Sequence, residues 1–337
     1  MRKGNDPVIL GYYPSWTPEV GPDKIDYRMF THLAHAFAVP GKNGAMDLPD
    51  ARQSHDLCAQ AHRAKTRVLL AVGGADSGSA LSAAMRDGPS AERLVAQLTE
   101  AVSRSGYDGI DIDWEFAESV EDSHRLTDLV RRVRAALPAD ALVTMAVSAG
   151  DWQGRWFETA ALIPLVDWVS VMTYDFHGTW SDHAGHNAPL YPDKKDTRDG
   201  AQCHLGAALG YWTEKRLWPP EKLLIGIPAY GRGFAVRHWY EKPEKPAAHG
   251  YISFREITGL IAQGWKRQQD HDAGVPYLIS PEGTELISYE DEASAAAKGR
   301  WSHEKRVRGI FFWEITEDWI GGTHHLVAAA RREFLRK

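Results

Sequence analysis

Asp111, Asp113 and Glu115 stand two positions apart in the run YDGIDIDWEF, which spans residues 107–116. Between and before them lie Ile110, Ile112 and Trp114. In a strand, residues two apart share a face and sit about 6.6 Å from one another. Three carboxyl groups would therefore point one way and three apolar side chains the other. Buried charge is costly unless it is paired, hydrogen-bonded or put to use. Carboxyl groups stacked on one face disfavour each other's ionisation and so raise each other's pKa. A Glu at the mouth of such a stack can keep its proton near neutral pH and act as a general acid, above an Asp whose hydrogen-bond role changes with its own proton. Three in-line carboxylates enclose a cation poorly, and no His-rich partner motif accompanies them. Acid–base chemistry is thus favoured over a metal site or a structural cluster. Asp108 is out of phase with the three and is expected to make a local hydrogen bond at the strand's start.

The rest of the chain must hold this strand. Eight β-rich runs alternate with amphipathic stretches: VILGYYP from Val8, THLAHAFA from Thr31, TRVLLAVGG from Thr66, GIDIDWE from Gly109, LVTMAVSAG from Leu142, WVSVMTYDF from Trp168, KLLIGIPAYG from Lys222 and RGIFFWEIT from Arg308. Several are near-continuous Val, Ile and Leu, as parallel strands covered on both faces require. Leu94, Val95, Leu98 and Val102 follow the spacing of one helix face, as do Leu126, Leu129, Val130, Val133 and Leu137 before Pro138. The expectation is an α/β fold, a (β/α)8 TIM barrel with a small α+β insertion. An open doubly wound sheet competes, but no strand is followed by a glycine-rich dinucleotide turn. Residues 1–234 and 289–337 would form the barrel. Residues 235–288 would form the insertion, rising from the barrel's C-terminal face as one wall of a cleft, with 290–305 as the helix into the last strand. Glu115 then falls at the C-terminal strand end, where barrel active sites are built.

Composition narrows the partners. The 337 residues carry a net charge of −6, which gives no reason to expect nucleic acid. No apolar run approaches the ~20 residues of a membrane span. Thirteen Trp, twelve Tyr and ten Phe suit a protein that stacks flat apolar faces, pyranose rings among them. Two cysteines, Cys58 and Cys203, imply no disulfide framework, and Cys58 reads as a buried thiol in a helix. The start, MRKGNDPVILGYY, has no apolar run of signal-peptide length.

DGIDIDWE matches the DxxDxDxE signature of family 18 glycoside hydrolases, the chitinase family. The likeness continues in AVGG on the third strand, MTYDFHGTW and GHNAPLY on and after the sixth, IPAYGRGF on the seventh and GIFFWE on the eighth. GVPYL and SYEDEAS resemble the end of the insertion found in the deep-cleft subgroup. From Gly11 to Trp313 the motifs stand in the family's order.

The resemblance implies hydrolysis of β-1,4 links between N-acetylglucosamine units of chitin or chitooligosaccharides, by an endo-acting, substrate-assisted retaining mechanism. On it, Glu115 protonates the leaving oxygen, Asp113 orients the acetamido group and stabilises an oxazolinium ion, and Asp111 shares a proton with Asp113. Tyr174 would bond the acetamido oxygen, Met172 line the same pocket and Asp175 hold the reacting sugar. Trp313 would be the floor under that sugar, Trp16 a platform on the non-reducing side and Trp180 one on the leaving-group side. Tyr12 and Phe37 would line the pocket floor, although either could equally be ordinary core. Tyr230 and Arg232 would reach the substrate, although Arg232 could instead pair with a local carboxylate. No cofactor and no metal are implied. His177 is expected to orient a neighbour, His183 and His186 flank a glycine in a pattern too weak for a metal site, and His324 and His325 read as structural.

Ala75 follows the third-strand GG, where many deep-cleft relatives carry Trp, which removes a leaving-side stacking surface of about 1 kcal/mol. An endo-β-N-acetylglucosaminidase acting on N-glycan cores would share the acidic strand. A chitin-binding lectin on the same barrel would typically have lost one of the four signature acids. The expectation is a monomeric, secreted protein whose export signal is absent from this chain, with a cytoplasmic protein as the alternative.

Overall fold

A computed structural model describes residues 6–336. Eight parallel strands close on themselves: β1 (Val8–Pro14), β2 (His32–Pro40), β3 (Arg67–Gly74), β4 (Gly109–Trp114), β5 (Leu142–Ser148), β6 (Trp168–Met172), β7 (Leu223–Pro228) and, last in the chain, Gly309–Trp313. Each pairs with its sequence neighbour, and the last pairs with both β7 and β1. The fold is a TIM barrel.

Strand alternation sorts the side chains into two cores. Val8, Leu10, Tyr12, Leu69, Ala71, Leu224 and Phe311 fill the lumen. Their alternates, such as Ile9, Leu70, Ile110, Ile112 and Ile310, pack outward against the helices. The helices vary in length. α1 (Ala51–Arg63), α2 (Gly88–Ser105) and α3 (Val120–Ala136) are full helices, each started by a side-chain cap, from Asp50, Asp87 and Ser119. In contrast, the link from β1 to β2 holds only two single turns, and that from β5 to β6 two four-residue helices.

Directly after β7 the chain leaves the barrel. β8 (Tyr230–Phe234) joins β9 (Ile252–Ser253), β10 (Lys266–Asp270), β11 (Val275–Ile279) and β12 (Leu286–Ser288) in a five-stranded sheet ordered β9-β8-β12-β11-β10. The sheet thus takes in residues just ahead of 235. One helix, α4 (Phe254–Ala262), opens with Ser253 and Glu256 in a reciprocal cap. α5 (Glu292–Glu304) then leads back to the last barrel strand, β13 (Gly309–Trp313). None of the helices among the described residues is long and apolar enough to cross a membrane.

Candidate active site

β4 sends Asp111 and Asp113 into the lumen while Ile110, Ile112 and Trp114 join the outer core. Asp111 is fully buried and accepts two hydrogen bonds, from the Tyr12 hydroxyl at 2.6 Å and from Thr144 Oγ1 at 2.5 Å. Both donors follow from register: Thr144 is the β5 partner of Asp111, and Tyr12 points inward from β1. Burial raises the Asp111 carboxyl, and these two bonds oppose the rise. Asp113 pairs across β3 with Gly73, which lies at φ 113° and whose hypothetical Cβ would meet the Asp113 carbonyl at 2.0 Å. Only glycine lets the third strand come this close.

Burial pushes Asp113 well above the usual carboxylate range, with the charges of Glu115 and Asp111 adding to it. Asp113 and Glu115 share a hydrogen bond, which two carboxyl groups can form only if one holds a proton. Asp113 Oδ1, the other oxygen, is buried and has no partner among the described residues. Glu115 stands just past the end of β4, where burial, then the charges of Asp175 and Asp76, push it up to about 7. Tyr174 lies nearby, its phenol held protonated by burial and by the charges of Asp113 and Glu115. Met172 and Tyr174 both pack on the lumen cluster, although β6 ends at Met172. Asp108, outside this group, accepts from Val68 N and His62 Nε2, both at 2.8 Å.

Two aromatic walls border the carboxyls. On one, Trp16, Phe37 and Trp313 lie ring on ring, with centroids 6.1 and 5.6 Å apart, and Tyr12 leans on Trp313 at 5.5 Å. Trp16 is 56% exposed at the outer end, and the series runs inward from it. On the other wall, Arg232 makes a two-pronged bond to Asp175, both contacts 2.8 Å, and Tyr230 donates to the same carboxylate at 2.8 Å. The guanidinium also lies over Trp180, Tyr230 and Tyr251, at 4.8, 5.1 and 4.9 Å from their centroids. Of the two roles weighed for Arg232, the structure displays pairing with a local carboxylate. Trp180 is 57% exposed, but one face of its ring is given to that guanidinium. Asp175 itself lies at φ 57° and is fixed by its N–H to Asn187 Oδ1, 2.9 Å. Ala75 is exposed at the rim.

Four participants escaped sequence reasoning. Tyr251, from the insertion, stacks on Tyr230 at 4.6 Å and donates to Glu317 at 2.9 Å. Glu317 and Glu314 are raised by burial, to about 8 and about 7. Asp76 acts on Glu115 through its charge alone. None of the four carries a spacing signal, because each comes from a loop or from the insertion.

Two buried trios could hold a metal ion: His177, His183 and Asp196, and His186, Asp193 and Asp270. The first lies wholly in the long segment after β6, whereas the second also takes Asp270 from β10 of the insertion.

A profile of Glycosyl hydrolases family 18 matches residues 8–318. A probable endochitinase of Caenorhabditis elegans is 30% identical over 75% of this chain; the match spans 44% of that relative's length. Chitinase-3-like protein 2 of Homo sapiens is 24% identical over 98% of this chain and 94% of its own. Among solved structures, an Ostrinia furnacalis group IV chitinase has a TM-score of 0.90 at 25% identity, covering 98% of this chain and 100% of its own. The structure of that Ostrinia furnacalis group's chitinase in complex with allosamidin has a TM-score of 0.88 at 25% identity, covering 96% of this chain and 98% of its own.

Proposed function

The chain belongs to glycosyl hydrolases family 18, and on that premise we propose that it hydrolyses β-1,4 links between N-acetylglucosamine units of chitin or chitooligosaccharides. The relatives' names, an endochitinase among them, and the ring-on-ring wall both favour a linear polymer with internal cleavage. One observation carries the reading: a single strand end sets a protonatable Glu115 beside a buried Asp113 that has an oxygen to spare.

Glu115, raised to about 7, is the acid that protonates the departing glycosidic oxygen at neutral pH. The family is a known exception to the two-carboxylate scheme, with the substrate's acetamido carbonyl as nucleophile. Asp113 then serves as acceptor for the acetamido N–H through Oδ1, and its charge stabilises the oxazolinium ion as the bond breaks. Asp111, held by Tyr12 and Thr144, tunes Asp113 from below. Tyr174 keeps its proton and donates to the acetamido oxygen. Deprotonated Glu115 finally takes a proton from the incoming water, so the product keeps its β configuration. Trp313, backed by Phe37 and Tyr12, supports the reacting sugar; Trp16 and Trp180 continue the cleft on either side, and Tyr230 and Arg232 act through Asp175.

The test is hydrolysis of chitohexaose by the purified chain beside Glu115→Gln, with products resolved by size and anomer. Wild type should release β-anomeric di- and trisaccharides, and the variant should be slower by about 10²–10⁴-fold. A wild-type chain that binds the hexamer without cutting it would return the assignment to a lectin. Cleavage of an N-glycan core in preference to the hexamer would move it to the endo-β-N-acetylglucosaminidase.

A further inference from the structure

The segment between β6 and β7 buries more imidazole than the proposed chemistry uses. His177 is 3% exposed and His183 is 0%. Each has one ring nitrogen committed outward. His177 Nδ1 lies 3.1 Å from the His186 carbonyl oxygen, which can only accept, so Nδ1 carries a proton. His183 Nδ1 lies 2.6 Å from a carboxylate oxygen of Asp182 and is a donor for the same reason. Both Nε2 atoms then turn inward, and neither has a hydrogen-bond partner among the described residues.

What they face is Asp196, itself 6% exposed. His183 Nε2 is 3.4 Å from Oδ1, and His177 Nε2 is 3.6 Å from Oδ2. Two neutral imidazoles would aim lone pairs at a carboxylate, an arrangement that repels unless a cation lies between. Protons on both nitrogens would supply it, but N–H···O⁻ bonds close to about 2.7–2.9 Å. The observed spacings are wider. They suit donors around one tetrahedral ion, whose bonds of about 2.0–2.2 Å set neighbouring donors about 3.3–3.5 Å apart. The three donor atoms all lie within 4.8 Å of one another.

We propose that His177, His183 and Asp196 bind one divalent transition-metal ion of the zinc class. Two imidazole nitrogens and a carboxylate select zinc and its neighbours over magnesium or calcium, which take oxygen donors. The outward hydrogen bonds of both rings are the kind that fix metal-ligating histidines, a carbonyl for His177 and a carboxylate for His183. Asp196 is oriented in turn by the N–H groups of Arg198 and Asp199. The ion would tie the segment's start, two residues past Asp175, to a point nineteen residues on. Trp180 lies between the two histidines in sequence, so its loop would be fastened on both sides.

The neighbouring trio differs. His186 Nε2 faces Asp270 at 3.6 Å and Asp193 at 4.0 Å, but the Lys195 ammonium lies 3.7 Å from Asp270 and the Tyr240 hydroxyl bonds Asp193. Its carboxylates already have protein donors and a cation. It is the control.

The full chain, stripped with a chelator and gel-filtered, is equilibrated with Zn²⁺, and retained metal is counted by mass spectrometry alongside the thermal unfolding midpoint. Wild type and His186→Gln should each retain a single equivalent and gain several degrees on Zn²⁺ addition but not on Mg²⁺ addition. His183→Gln and Asp196→Asn should bind at least tenfold more weakly. The assignment is overturned if stripped wild type takes up no stoichiometric Zn²⁺, or if the two ligand variants bind as wild type does. Should those variants fail to fold, the wild-type result decides alone: a midpoint that Zn²⁺ leaves unchanged rejects the site.

Discussion

Carboxylates are handled in two opposite ways within this one pocket. On β4, Asp111, Asp113 and Glu115 have no cation among their bonded partners in the described residues; burial pushes all three upward, and neighbouring acidic charges add to it for Asp113 and Glu115. At the end of β6, Asp175 sits in a two-pronged bond to Arg232 with a phenol as third donor. A carboxyl without a cation in a dry place tends to keep a proton, whereas one clamped by a guanidinium has a counter-charge at hand. The first arrangement suits proton transfer. The second supplies a fixed negative charge, and that charge is one reason Glu115 is raised. The two regions are therefore coupled, and substitutions should separate them.

The largest effect is expected from the uncompensated side. Asp113→Asn keeps the shape but removes the charge proposed to face the oxazolinium ion. We expect kcat on chitohexaose to fall by about 10²–10³-fold, the usual scale for losing one preorganised electrostatic partner. KM should change little. A loss confined to KM would mean that Asp113 only binds.

The clamp should answer through stability instead. Arg232→Gln leaves Asp175 with a phenol and a backbone anchor but no cation. Breaking a fully buried pair costs 3–5 kcal/mol, but the Asp175 side chain is 33% exposed, so about 1–3 kcal/mol is expected from urea unfolding. Trp180 and Tyr251 lose the group between them, which should show as increased exposure of Trp180 to a fluorescence quencher. Unchanged unfolding would make the clamp dispensable to the fold.

How much of this was legible beforehand follows from where each residue sits. The period of two on β4, with Ile and Trp opposite the acids, required only strand geometry, and the lumen and outer cores divide as that alternation demands. The eight strands were readable for the same reason, since Val and Ile runs mark them without reference to distant chain. The links after β1 and β5 were less so, because short turns carry no helical period. Arg232 could be placed near the pocket but not assigned a partner. Asp175 is fifty-seven residues away, and only the fold brings them together. Tyr251 and the His177–His183–Asp196 group were illegible on that ground as well: isolated His and Asp in a loop have no period to betray them.

The pH dependence of stability offers a gentler break between the two regions. Glu115 in the fold titrates near 7, against about 4.5 in an unfolded chain, so between those values the native state holds the extra proton. Stability from this group is therefore greatest below pH 4.5 and declines as pH rises to 7. Glu115→Gln removes the titration. The variant should gain on wild type by about 1–2 kcal/mol between pH 4.5 and 8 in urea unfolding, less than a fully buried shift would give because Glu115 is partly solvent-accessible. A constant difference across that range would say that Glu115 titrates as an ordinary carboxylate.

The smallest effect reaches the acid from outside. Asp76 is exposed and touches Glu115 only through its charge, which disfavours ionisation of the acid. Asp76→Asn keeps a residue that tolerates the left-handed backbone found there, φ 63°. With the charge gone, Glu115 ionises more readily, so the alkaline limb of the kcat/KM profile should shift down by a few tenths of a pH unit. Salt offers an independent handle. At about 1 M the Debye length falls to roughly 3 Å, so an exposed charge such as Asp76 is screened, whereas the burial of Glu115 is unaffected. Wild type should then lose the small elevation and match Asp76→Asn, while both keep the larger one due to burial. If high salt instead carried the limb all the way to the ordinary carboxylate range, surface charge rather than desolvation would be what keeps the acid protonated.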